Sequence, residues 1–176
     1  CHLHHHSIVE ELNMPLPSGV QYFLAVQHPL TAFVDAELRV CEAEKTEQDL
    51  PKSYSGGFTT TYHLFNRLKD WAVRCFTRKI PDLQVRYEAI GRFLAKNSDS
   101  HFVSANCLQR GILVNGQWHP IIKMEWIAGE PLNEFISENV ASPVRIQNLA
   151  SEFCILVRQL EKLGIAHGDL QHGNII

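Results

Sequence analysis

The sequence predicts an α+β fold: a small antiparallel β layer carrying one helix, followed by the start of a helical lobe. Three observations lead there. β-rich segments at 54–64, 71–76 and 118–127 flank a single segment, 81–94, with helical periodicity. Asn115-Gly116, between two apolar runs, is the strongest short hairpin signal in the chain, because both residues tolerate the positive φ of a type I′ turn. Beyond residue 128 the strand signals stop, and Pro143 opens a long helix that Gly164 closes.

Taken in order, residues 1–50 read as an N-terminal extension and linker. The opening Cys1-His2-Leu3-His4-His5-His6 is read as a tag-like end rather than a metal site. Pro15 and Pro17 precede a short apolar stretch, 20–26, and a second patch, 33–40, follows Pro29. Residues 42–49 are acidic and polar and read as a surface linker. Residues 51–127 form the predicted β lobe. Its first strands enclose the pair Gly56-Gly57, and the next, 71–76, follows a turn at 66–70. Pro81 and Asp82 open a helix in which Val85, Ala89, Phe93 and Leu94 recur at helical spacing, with Glu88 on the side of Val85. Short strands are expected at 101–103 and 111–114, and a returning strand at 118–127. Residues 128–176 begin the second lobe with helices at 131–139 and 143–163. Ile146, Leu149, Phe153, Val157 and Leu160 line one face of the long helix. Cys154, Ile155 and Leu156 widen that stripe, which predicts a helix buried on most sides.

Composition narrows the function classes. A net charge of -3 and a pI of about 6.4 give no electrostatic footprint for nucleic acid or an anionic membrane, and the cluster Arg74, Arg78, Lys79 is too small to supply one. No apolar run approaches the roughly 20 residues that span a bilayer. The five cysteines, Cys1, Cys41, Cys75, Cys107 and Cys154, form no C-x-x-C pair and no disulfide framework, so a reducing cytoplasm is the expected location.

The chemistry is concentrated just past the long helix, in His167-Gly168-Asp169-Leu170-Gln171-His172-Gly173-Asn174. A carboxylate able to accept a hydroxyl proton lies five positions before a carboxamide able to hold Mg²⁺, on a short loop leaving a helix. This stretch resembles the H-x-D-x-x-x-x-N catalytic loop of the protein-kinase-like superfamily, and the wider pattern is similar to bacterial serine/threonine-kinase-related sequences. The resemblance implies ATP and Mg²⁺ as cosubstrate and cofactor, Asp169 as catalytic base, Asn174 as magnesium ligand and His167 as a packing support. It implies an adenine hinge at 124–128, with Met124 as gatekeeper and the backbone of Glu125 and Ile127 on the base. Trp71-Ala72-Val73-Arg74 stands where the family has V-A-I-K, Glu88 where its lysine finds a carboxylate partner, and Gly56, Gly57 and Phe58 where its phosphate loop lies. Ala72, Arg74 and Glu88 join the implied nucleotide site on that basis.

The sequence departs from the family at four points. Arg74 replaces the lysine, exchanging a point charge for a planar fork. The phosphate loop is poor in glycine, with Tyr54, Gly56 and Thr59 at the patterned positions. Gln171 stands where many protein kinases carry lysine, and Gly168 where they carry arginine. The sequence stops at Ile176, two residues past Asn174, so the resemblance covers residues 52–176 and omits the D-F-G segment. The expectation is a fragment that does not turn over by itself. Three functions follow: a phosphotransferase acting on a protein Ser or Thr, a small-molecule kinase of the aminoglycoside or choline type, and a pseudokinase that binds nucleotide or a partner without catalysis.

Overall fold

The computed structural model describes residues 15–96, 102–166 and 175–176. The chain divides after Trp126 into two compact units. Both helices and an antiparallel sheet are present, so the α+β class holds.

The first unit opens with three short helices, α1 (Gly19–Val26), α2 (Pro29–Ala32) and α3 (Ala36–Arg39). Local chemistry starts two of them. Ser18 and Gln21 form a reciprocal capping box on α1. At α3, Asp35 Oδ1 accepts from the amides of both Glu37 and Leu38 at 3.0 Å. The strands follow as β1 (Glu42–Ala43), β2 (Ser53–Ser55), β3 (Thr59–Phe65), β4 (Asp70–Phe76), β5 (Ala105–Val114) and β6 (Gln117–Glu125), with α4 (Leu83–Lys96) between β4 and β5. All pairings are antiparallel, in the order β3-β4-β6-β5, and β1 and β2 both pair with β3. Asn115 and Gly116 both take positive φ, 51° and 79°, and turn β5 into β6 as the sequence predicts.

Strand alternation gives the sheet two unlike faces. One is covered by the N-terminal helices. Tyr22, Val26, Ala32, Phe33 and Leu38 pack there with Tyr62, Leu64, Val73, Cys75, Ile112 and Ile121 in one buried cluster. The Tyr22 hydroxyl keeps a partner inside it, donating to the Phe76 carbonyl at 2.9 Å. The segment read as an extension therefore supplies much of the core. Within the expected linker, Glu42 and Ala43 pair with Phe65 and Leu64 of β3. Composition missed this because the apolar residues of 20–40 are split among three helices too short to show a period.

The other face carries a smaller cluster, Phe76, Ala105 and Ile122, on which α4 rests through Leu83 and Tyr87. This corrects the predicted stripe in its first half: Val85 is 63 % exposed and Ala89 is exposed, while Phe93 and Leu94 are half-buried. The inward phase runs through Leu83, Tyr87 and Gly91, spaced by four, and a Cβ on Gly91 would lie 3.9 Å from the Ala105 carbonyl. Tyrosine and glycine carry little hydrophobic signal, so Val85 and Ala89 set the wrong phase. A second correction concerns the edge strand. The two pieces predicted at 101–103 and 111–114 give way to one strand, β5, with an irregularity between Leu108 and Ile112.

In the second unit, α5 (Leu132–Asn139) packs on α6 (Pro143–Leu163), and Gly164 closes α6 in the left-handed region at φ 68°. The expectation of a helix buried on most sides is overturned. Leu160 is the only buried residue of α6, while Val144, Phe153 and Ile155 are exposed. One short neighbouring helix covers one stripe and no more. Among the described residues, no helix is long and apolar enough to cross a membrane.

Candidate functional site

The register of the sheet brings several predicted residues onto the face opposite the N-terminal helices. Ala72 is the Cα partner of both His63 and Met124, and Met124 is also opposite Ala105. The next row runs Tyr54, Thr61, Arg74, Ile122 and Cys107. Directly opposed residues on antiparallel strands point to one side, so Tyr54, Thr61, His63, Ala72, Arg74 and Met124 share this face. Gly56, Gly57 and Phe58 close the β2–β3 turn at the end where Thr59 meets Phe76. The Gly56 amide donates to the Thr59 carbonyl at 2.8 Å, and the Thr77 amide to Phe58 at 2.9 Å. Arg78 stacks its guanidinium on the Phe58 ring at 5.0 Å. A Cβ on Gly57 would meet nothing within 4 Å, so the approach to this turn is open.

Arg74 is half-buried between the turn and the far end of the sheet, and its Nε is buried with no hydrogen-bond partner. An unpaired N–H on a cation is costly, which marks the position as one that wants an anionic acceptor. The expected acceptor, Glu88, does not supply it. Glu88 is exposed, accepts from Gln84 Nε2 at 2.7 Å, and makes no ion pair with Arg74. The corrected phase of α4 explains this. With Tyr87 turned inward, Glu88 lies about 100° further round the helix. It lines a groove of about 610 Å³ between α4 and β5, together with Tyr87, Arg92, Cys107 and Lys123.

At the opposite end of the sheet, the Trp126 amide donates to the Asp70 carbonyl at 3.0 Å, which prolongs the β4–β6 pairing by one residue. Alternation then turns the backbone N–H and C=O of Glu125 away from β4, past the start of β5 at Ala105. A cavity of about 460 Å³ adjoins this end, lined by Asp70, Trp71, Ser104, Glu125 and Trp126 among others. Ile127 begins the second unit and is 41 % exposed. Asp169 and Asn174, with His167, Gly168 and Gln171, lie outside the described residues.

Sequence reasoning missed one group on this face. The Trp126 indole stacks on the His63 imidazole, with centroids 4.2 Å apart and planes at 12°, and meets the Tyr54 ring at 5.4 Å. Glu44 ties the group together: its Oε2 accepts from the Tyr54 hydroxyl at 2.9 Å and lies 3.2 Å from His63 Nδ1, while its Oε1 accepts from Lys52 at 2.8 Å. Partial burial, with the Glu44 carboxylate adding to it against the pull of Lys52, holds the Tyr54 hydroxyl above the ordinary tyrosine value, so it remains a donor. The period-2 alternation of 59–65 marks His63 as facing this side. Its partner two strands away becomes visible only with the register.

No protein-family model, no curated protein and no solved structure matches the chain.

Proposed function

We propose that this chain is part of an ATP-dependent phosphotransferase of the protein-kinase-like superfamily, acting on a protein Ser or Thr, and that the nucleotide lies along the open face of the sheet. One observation carries the reading. Ala72, Arg74 and Met124, which the resemblance assigns to nucleotide, share a face in adjacent rows, with the glycine turn at one end and the Glu125 backbone at the other. A base against Ala72 and phosphates toward Gly56 and Gly57 would run the length of that face. The fold supports it too, since a small antiparallel β lobe carrying one helix is what the resemblance implies.

The described residues fit a phosphate. The orphaned Arg74 Nε offers a charge-assisted donor, and arginine matches phosphate oxygens with a planar fork. Phe58 and the β2–β3 turn are held by the Arg78 stack, which keeps the Gly57 backbone presented. Asp169 would take the proton of the attacking hydroxyl and Asn174 would hold Mg²⁺, as the resemblance implies. When bound, the metal neutralises phosphate charge. Among the described residues there is no group of three or more His, Cys, Asp or Glu that could hold a metal ion.

Isothermal titration with Mg·ATP tests the reading. Arg74→Ala is expected to weaken binding about tenfold or more, the range of one hydrogen bond to a charged group. No binding by the wild-type chain, or unchanged binding by R74A, overturns it. A second reading, nucleotide binding without catalysis, is favoured by the missing Arg74–Glu88 pair. Phosphotransfer that survives Asp169→Asn would exclude the base assigned in the first reading.

A further inference from the structure

The stack of Trp126 on His63 has a geometric consequence. His63 lies on β3 and Trp126 continues β6, with β4 between them. Two strand spacings separate their backbones, about 10 Å. Rings whose centroids are 4.2 Å apart therefore meet over the middle strand, across Asp70 and Ala72. Alanine is the side chain that leaves room there. Ala72 is only 8 % exposed although it bears a single methyl group, in keeping with a ring lying over it. His63 closes one flat side of the indole and Tyr54 leans on it at 48°. The result is a slot shaped for one planar ring, floored by a small residue and occupied by the chain's own side chain.

We infer that this slot is a planar-ring binding site held closed by Trp126, and that a purine nucleotide enters it by displacing the indole from His63. The inference rests on the nucleotide-binding reading and adds to it an internal competitor for the base. A purine presents the same flat face to His63 and Tyr54 that the indole does, so the two compete for one surface. It also has edge acceptors and donors that an indole carbon edge lacks. Trp126 thus lowers apparent affinity by the fraction of molecules in which the stack is closed.

The test is titration of the full chain with Mg·ATP, comparing wild type with Trp126→Ala and His63→Ala, and with circular dichroism melts to establish folding. The second variant removes the surface for which indole and purine compete and leaves the backbone next to Glu125 untouched. Trp126→Ala is expected to bind ATP about three- to tenfold more tightly, the factor that one aromatic pair represents, whereas His63→Ala, which removes the surface that purine and indole share, is expected to show no such gain. ATP is also expected to change tryptophan emission in wild type and to do so much less in W126A. Equal or weaker binding by folded W126A, or a gain in H63A equal to that of W126A, with wild type still binding, overturns the inference and leaves the nucleotide reading standing. Absence of binding in all three proteins overturns both.

Discussion

Lys123 is a buried charged group that ties the N-terminal helices to the sheet from within, and its replacement by methionine is the most informative stability test. Its ammonium lies 2.8 Å from Asp35 Oδ1 and 2.6 Å from Glu37 Oε2, and 4.2 Å from the centre of the Trp71 ring. The side chain is 6 % exposed. Stranding a fully buried charge costs about 3–5 kcal/mol, and breaking an exposed pair costs about 0–1 kcal/mol. The carboxylates left behind by Lys123→Met fall between these limits. Asp35 keeps both amide donors from α3, and Glu37, half-exposed, keeps Lys69 at 2.8 Å. Methionine refills most of the stem volume without an ammonium to desolvate. The cost expected is about 2 kcal/mol, near that of one charge-assisted hydrogen bond. For a unit of this size that lowers the melting temperature by roughly 6–10 °C.

The reverse substitution supplies the control. Asp35→Ala removes the α3 cap and leaves the buried ammonium with only its half-exposed partner, so it is expected to cost more than K123M, about 3–4 kcal/mol. Urea unfolding of both variants and the double mutant, followed by tryptophan fluorescence, measures the asymmetry. A K123M variant within about 0.5 kcal/mol of wild type would refute the argument. So would a D35A variant less damaging than K123M.

Two further predictions come from the same unit. Hydrogen bonds from Lys123 and then Lys69 lower the Glu37 carboxyl from its ordinary 4.5 to about 2, so its stabilising effect is complete above pH 4.5 and is lost as pH falls toward 2. Glu37→Gln is therefore expected to flatten the fall in stability between those values, which melts at stepped pH would report; an unchanged slope would remove Glu37 from the account. Gly111→Ala is expected to cost about 2 kcal/mol, because a Cβ there would collide with the side chain of fully buried Ile121 and stand 3.0 Å from the Leu108 carbonyl. Equilibrium unfolding checks it, and a neutral G111A would mean that the β5 irregularity yields.

Sequence legibility followed the strength of local signals. The β5–β6 turn was readable because Asn115-Gly116 satisfies a backbone requirement that few dipeptides meet. The bounds of α6 were readable because Pro143 and Gly164 act on the two ends of a helix through φ alone. Burial was not readable in the same way. The apolar width of α6 says what the helix is able to bury, whereas its actual burial depends on which neighbours are present. The phase of α4 failed for a related reason: Tyr87 and Gly91 earn their inward positions by fit against Phe76 and Ala105, which no single-helix pattern contains.

The site divides along the same line. Which side of the sheet each residue faces follows from alternation, so Ala72, Arg74 and Met124 were each assignable within their own strands. Which residues meet depends on register, and a slip of one residue would turn every one of them to the opposite face. Register is set here by the covered face, where Tyr62, Leu64, Val73, Cys75 and Ile121 are buried against helices from residues 19–39. The helices of residues 19–39 thus bear on the site from the opposite face of the sheet. They fix the pairing of β3, β4 and β6 that brings His63 and Trp126 together over Ala72. Weakening the Lys123 tie tests this connection directly. If register is held by that packing, K123M loosens the Trp126–His63 stack along with the fold, and its tryptophan emission shifts at temperatures below the main unfolding transition. If the stack melts only with the whole unit, the open face keeps its geometry from the strands alone.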